Sequence, residues 1–174
     1  QRGAHHTPAN ASLFDAVDVT RTFEATEQAR FHDTGINLVR CFPGRGLVVW
    51  VGRTLEREPE GRFIAHRRLL HRLIRAIRRV AEPLVFDING AELRLTIVRA
   101  ITTVLLEAWR AGALKGARPD EAFRVRCDEQ TTPPAEQDLG RVVCMIEVAP
   151  AVPMEFMRLQ VALSSDGILE VFET

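Results

Sequence analysis

Histidine, cysteine, serine and paired carboxylates build most catalytic and metal centres, so their spacing is read first. His5 and His6 are adjacent in a polar N-terminal stretch, and His32 stands alone. His66 and His71 are five apart, which separates them on a helix. No Cys-x-x-Cys pair completes a zinc set. No Gly-x-Ser-x-Gly elbow is present, and Ser164-Ser165 belongs to a Ser-Ser-Asp-Gly turn. The carboxylate pairs Asp120-Glu121 and Asp128-Glu129 are immediate neighbours, so on a regular element they diverge. The residues therefore predict no catalytic centre, no metal and no cofactor, and a chain that is not an enzyme.

One loop imitates a phosphate grip. Gly44-Arg45-Gly46 lies in the stretch Cys-Phe-Pro-Gly-Arg-Gly-Leu-Val-Val-Trp, residues 41–50. A phosphate loop needs a helix after it, so that amides and dipole converge on the anion. Here a β-rich run follows, and the pattern predicts a hairpin, with strands over 36–42 and 47–51 and the loop Pro43–Gly46 between them.

The most unusual cluster is cationic. Between Gly61 and Val80 stand seven arginines and two histidines without a single acid. Leu69, Leu73, Ile77 and Val80, with Leu70 and Ile74 beside them, recur at helical spacing over 62–81. Arg68, Arg72, Arg75 and Arg79 recur at the same period on another face. Three readings are open: a solvated face paired with carboxylates elsewhere, a docking face for an acidic protein, or a face for nucleic acid or membrane. Zero formal net charge and the lack of interleaved aromatics weigh against nucleic acid. The absence of a Trp anchor on this helix weighs against a membrane surface.

The elements that must position these residues follow from the remaining pattern. The chain has 174 residues, 46% hydrophobic and 26% charged, which suits one ordinary globular domain. No apolar run reaches the roughly 20 residues that span a bilayer, and no signal peptide is visible. The start at Gln1 rather than Met reads as the ordered part of something longer. Residues 1–11 read as irregular, 16–24 as a weak strand, and 27–32 as a short helix capped by Thr26 and ended by Gly35. Pro83 should stop the first long helix. A short strand is expected over 84–88 and a second helix over 91–111, with Gly112 at its end. The stretches 113–121 and 128–140 read as loops, and 123–127, 141–149, 155–163 and 168–172 as strands. Strands, two helices, then strands predict an α+β fold: a mixed sheet with two main helices packed on it. The last strand should leave an exposed sheet edge. Cys41, Cys127 and Cys144 read as buried reduced thiols of a cytosolic protein, a pair between two of them being the alternative.

Several local patterns occur in one order. Arg-Cys-Phe-Pro-Gly-Arg-Gly (40–46) leads to Trp-Val-Gly-Arg-Thr-Leu (50–55), Arg-Arg-Leu (67–69) and Leu-Val-Phe-Asp (84–87). Then come Leu-Leu-Glu-Ala-Trp-Arg-Ala-Gly-Ala-Leu-Lys-Gly (105–116), Pro-Asp-Glu-Ala-Phe (119–123) and Val-Arg-Cys-Asp (125–128). Gly140-Arg141, Glu-Val-Ala-Pro (147–150) and Pro-Met-Glu-Phe (153–156) complete the set. From about residue 2 to 156 the chain resembles the C-terminal region of tail sheath proteins of contractile phage tails and phage-tail-like injection systems.

The resemblance implies a structural subunit, assembled in the bacterial cytoplasm into a virion tail or phage-tail-like particle. Such subunits polymerise around an inner tube and contract to drive it through a target envelope. The implied partners are other sheath subunits, the inner tube protein and baseplate proteins. Implied boundaries are a lead-in over 1–35, a tube-proximal core over 36–156 and a C-terminal strand or arm over 157–174. Arg68, Arg72, Arg75 and Arg79 become the expected contact to the tube or a neighbouring subunit. Met157, Leu159, Val161 and Leu163, which alternate on one side of their segment, become the expected inter-subunit strand. Two departures stand out. Family members usually carry acids in the middle of the first helix, where this chain has Arg72, Arg75, Arg78 and Arg79. Beyond the first strand after Phe156 the family pattern fades. A nucleic-acid-binding module using the helix over 62–80 is the alternative function.

Overall fold

The computed structural model describes residues 3, 5–58, 61–84, 90–151, 157–164 and 168–173. By contact density the chain divides into two units, 1–69 and 70–174.

The first unit is built on a small antiparallel sheet. Strands β1 (Ala11–Ser12), β2 (Val39–Phe42) and β3 (Gly46–Val49) lie in the order β1-β3-β2. The hairpin expected at Pro43–Gly46 is present. Phe42 pairs with Gly46, and Arg45 N–H donates to the Phe42 carbonyl at 3.0 Å. The turn needs left-handed backbone at Gly44 (φ 75°) and Gly46 (φ 70°), which glycine adopts without a Cβ penalty. This is a strand connection, and no helix follows it to bind an anion.

Beyond the hairpin, Asn37 holds the chain at Arg53 with both ends of its amide. Its Nδ2 donates to the Arg53 carbonyl and its Oδ1 accepts from Arg53 N–H, both at 2.7 Å. Helix α1 (Ala25–Asp33) is opened by a reciprocal capping box between Glu24 and Glu27, one residue pair earlier than a cap at Thr26. The expected strand over 16–24 does not form. Residues 13–22 are bends and coil, with Phe14 93% and Val17 99% exposed. An alternating segment becomes a strand only where a partner edge exists, and among the described residues none pairs with it. Conversely, the stretch read as irregular over 1–11 ends in β1, which pairs Ala11 with Val49 and Ser12 with Val48.

Helix α2 spans Ile64–Ala81. Ala65, Leu69, Leu70, Leu73, Ile77 and Ala81 are buried along one side, as the spacing predicts, while Ile74 and Val80 are half-buried. A 3-10 turn over Glu82–Leu84 follows, where Pro83 cannot continue the ladder. The strand expected over 84–88 falls almost wholly outside the described residues.

In the second unit, helix α3 (Ala91–Arg110) buries Leu93, Ile97, Ile101 and Leu105, an i, i+4 row along one face. It packs against α4 (Pro119–Ala122) and strand β4 (Phe123–Arg126). The sheet is an antiparallel meander in the order β4-β5-β6-β7, with β5 Val142–Val148, β6 Met157–Leu163 and β7 Leu169–Glu173. Val142, Cys144, Ile146 and Val148 of β5, Leu159, Val161 and Leu163 of β6, and Val171 of β7 are buried. The fold is α+β as expected. Two short helices, α4 and α5 (Pro134–Asp138), lie in stretches that read as loops. Both start at proline, which fits the first helical turn.

The cysteine expectation is corrected. Cys127 and Cys144 form a disulfide, with Cα atoms 4.4 Å apart. The register explains it: Arg126 lies opposite Met145, so the next residue of each strand's path, Cys127 and Cys144, meet across the ladder. Cys41 is free, and exposed rather than buried, because β2 is an edge strand.

Candidate interaction surfaces

The arginine cluster becomes a surface on α2. Arg68, His71, Arg72, Arg75, Arg78 and Arg79 are exposed, on the side away from the buried stripe. The helical rise of 1.5 Å per residue sets Arg68 and Arg79 about 16 Å apart along the axis. None of Arg68, Arg72, Arg75 and Arg79 forms an ion pair among the described residues, and the helix contains no acid that could pair at i+4. Arg78 and Arg79 also sit favourably at the negative end of the helix dipole. The surface is a row of uncompensated, strongly hydrogen-bonding cations. It can hold carboxylates or other oxyanions by ionic contact, and it carries no Phe, Tyr or Trp on which a base could stack.

The same helix buries a histidine. His66 is 2% exposed, its Nε2 has no hydrogen-bond partner, and burial pushes its pKa below the usual imidazole value. Its ring meets Phe63 edge-on at 5.4 Å. This is a neutral core histidine. His71, five residues on, is exposed, so the two do not converge. Among the described residues no group of His, Cys, Asp and Glu could hold a metal ion.

Met157–Leu163 is β6, and it pairs with β5 along one side and with β7 along the other. Leu159, Val161 and Leu163 point into the buried layer, and the Met157 side chain lies outside what is described. The edge strands of this sheet are β4 and β7, and the Leu169–Glu173 backbone of β7 bonds only to β6 among the described residues.

The outer face of this sheet carries a groove of about 600 Å³ beneath the 128–141 segment. Arg126, Met145, Gln160 and Phe172 follow one another across the four strands along its floor. Both arginines of its lining are paired, Arg126 with Asp128 at 3.2 Å and Arg141 with Glu136 at 3.3 Å, while Glu170 has no ion pair among the described residues. The Asp128 carboxylate is held below its ordinary pKa chiefly by the hydrogen bond from Thr131 N–H, helped by Arg126. Such an arrangement braces a loop rather than presenting a reactive group. Sequence reading missed it because its members come from four strands and a loop. No helix among the described residues is long and apolar enough to cross a membrane.

Comparison with known proteins points one way. Residues 56–164 match the family described as phage tail sheath C-terminal domain. The chain is 30% identical over 154 residues to the tail sheath protein of Vibrio phage KVP40, covering 87% of this chain and 22% of that protein. Among solved structures it resembles a chain of the anti-feeding prophage baseplate with TM-score 0.81 and 34% identity, over 90% of this chain and 44% of that one. It also resembles a chain of the contracted PVC sheath complex, an extracellular contractile injection system, with TM-score 0.80 and 27% identity over 87% of this chain and 44% of that one. The chain thus spans less than half the length of these relatives. The matched family, the phage relative and the PVC complex are described as sheath, and nothing in the matches supports the nucleic-acid alternative.

Proposed function

The chain belongs to the phage tail sheath C-terminal domain family, and from that premise we propose that it is the tube-proximal part of a contractile sheath subunit. In this reading the subunit polymerises around the inner tube of a phage tail or phage-tail-like injection system, and contraction of the lattice drives the tube through a target envelope. Residues 36–156 form the tube-proximal core, and 157–174 the strand pair that carries lattice contacts. The partners are other sheath subunits, the inner tube protein and, at one end, baseplate proteins. No catalytic group or cofactor takes part. Assembly takes place in the bacterial cytoplasm.

The observation that carries this reading is the acid-free face of α2. Exposed ion pairs contribute only about 0.2–1 kcal/mol each. Several arginines per subunit, repeated around and along a polymer, sum to a substantial hold while each contact stays individually reversible. That is what a lattice needs if it must grip a tube and later let it move. Arg68, Arg72, Arg75 and Arg79 supply the contact to acidic groups of the tube or an adjacent subunit. Inter-subunit strand addition draws on the β6–β7 pair, the segment of Met157, Leu159, Val161 and Leu163, in which the buried Leu159, Val161 and Leu163 anchor the hairpin and β7 offers an open edge.

The test is co-sedimentation with polymerised tube protein. The parent chain should pellet with the tube, less so as salt rises. Arg72→Glu combined with Arg75→Glu should remain soluble and folded yet stay in the supernatant. Retention of this double variant on the tube at parental levels would overturn the assignment of this face.

A further inference from the structure

The hairpin that opened as a mimic of a phosphate loop holds a second unpaired cation. On β2, Arg40 lies against two aromatic rings, its guanidinium carbon 5.0 Å from the Phe42 centroid and 4.6 Å from that of Trp50. The rings themselves are 5.1 Å apart. All three side chains are half-buried, and no carboxylate of the described residues pairs with Arg40. Stacking fixes the plane of a guanidinium and leaves its N–H edge for an acceptor, so the arginine is preorganised for a carboxylate.

The same unit also carries the opposite half of such a contact. Residues 13–19 read Leu-Phe-Asp-Ala-Val-Asp-Val and have no regular structure. Phe14 and Val17 are almost wholly exposed, at 93% and 99%, and Asp15 and Asp18 are exposed without an ion pair. Large apolar side chains this exposed beside unpaired acids form a surface that fits an apolar, cationic partner.

We infer that the Leu13–Val19 segment of one copy docks on the Arg40–Phe42–Trp50 face of the next copy, with Asp15 or Asp18 on the guanidinium and Phe14 or Val17 against the rings. Charge complementarity selects the occupant, and the aromatic rings select this face over α2. The exposed side of α2 offers arginines but no large apolar group to receive Phe14 or Val17. The two halves are different surfaces of one chain, so the contact is head-to-tail and repeats from copy to copy. The inference rests on the sheath reading only in taking a second copy of the chain as the partner.

Sedimentation velocity of the 174-residue chain over a range of concentrations tests it, with circular dichroism to confirm folding. The parent chain should self-associate. Arg40→Glu alone should weaken association roughly tenfold or more, as should Asp15→Arg with Asp18→Arg, because each variant then sets like charges against each other. A one-to-one mixture of the two variants should recover the parental association, since every contact in an alternating chain is again opposite in charge. Arg40→Gln, which keeps the size and removes the charge, provides the test if the glutamate variant does not fold.

A monomeric parent, variants that associate like the parent, or a mixture that fails to recover would overturn the contact. Loss of association with Arg72→Glu and Arg75→Glu but not with Arg40→Glu would overturn it in favour of α2 as the acceptor. Binding to polymerised tube protein, measured separately, tells the two readings apart. Tube binding with no effect of the Arg40 and Asp15 changes defeats this contact and leaves the sheath reading intact. Charge-dependent self-association without tube binding does the reverse.

Discussion

His66 shows how a residue that looks functional can be structural. A buried imidazole without a partner at Nε2 is favoured in its neutral form in the folded chain. Its folded pKa lies below the unfolded value of about 6.5, so the unfolded chain binds the proton more readily. Stability is therefore full above pH 6.5 and falls as pH drops through 6.5 towards the folded pKa, with a limiting slope of about 1.4 kcal/mol per pH unit for one proton. Urea midpoints at pH 7.5 and 5.5 should differ for the parent, and that difference should shrink in His66→Leu. Ile101, with no exposed surface on α3, is a second test at this scale. Ile101→Ala should cost about 2–5 kcal/mol in chemical denaturation, from lost burial and the cavity left behind. Of the two, Ile101 is placed by its helical spacing. The burial of His66 was not legible, because spacing relative to His71 says only that the two diverge.

At the scale of elements, legibility followed period and length. Helices α2 and α3 and strands β4 to β7 were visible because each buries one regular stripe. The short helices α4 and α5 were not, since four or five residues carry no period and their prolines read equally well as loop. Residues 16–24 failed in the opposite sense. Their alternation was real, but strand formation depends on an available edge that sequence does not display. The disulfide was missed for the same reason, because register between β4 and β5, rather than spacing along the chain, brings Cys127 to Cys144. Iodoacetamide labelling of the unfolded, unreduced chain followed by mass spectrometry should mark Cys41 alone, and all three cysteines after reduction. The closed loop, 17 residues in sequence separation, should contribute roughly 3 kcal/mol through loss of unfolded-state freedom. Thermal unfolding with and without reductant should show that loss.

For the whole molecule, the proposed reading gives the acid-free α2 face and the open β7 edge their partners in an assembly. Neither has an internal partner among the described residues, and a chain of zero net charge has no need of such a concentrated cationic row for solubility. Family membership was legible in the ordered set of local patterns from 40 to 156. The arginines of this helix are legible too, while the partner proposed for them is not, because a contact to another molecule leaves no pattern in this chain. The most direct measurement is electron microscopy of the protein produced together with the inner tube protein of its particle. The sheath account predicts tubes coated by a regular, striated layer of this protein, and bare tubes when Arg72→Glu and Arg75→Glu are present. Bare tubes with the parent protein, folded and dispersed in the background across low and moderate salt, would contradict it.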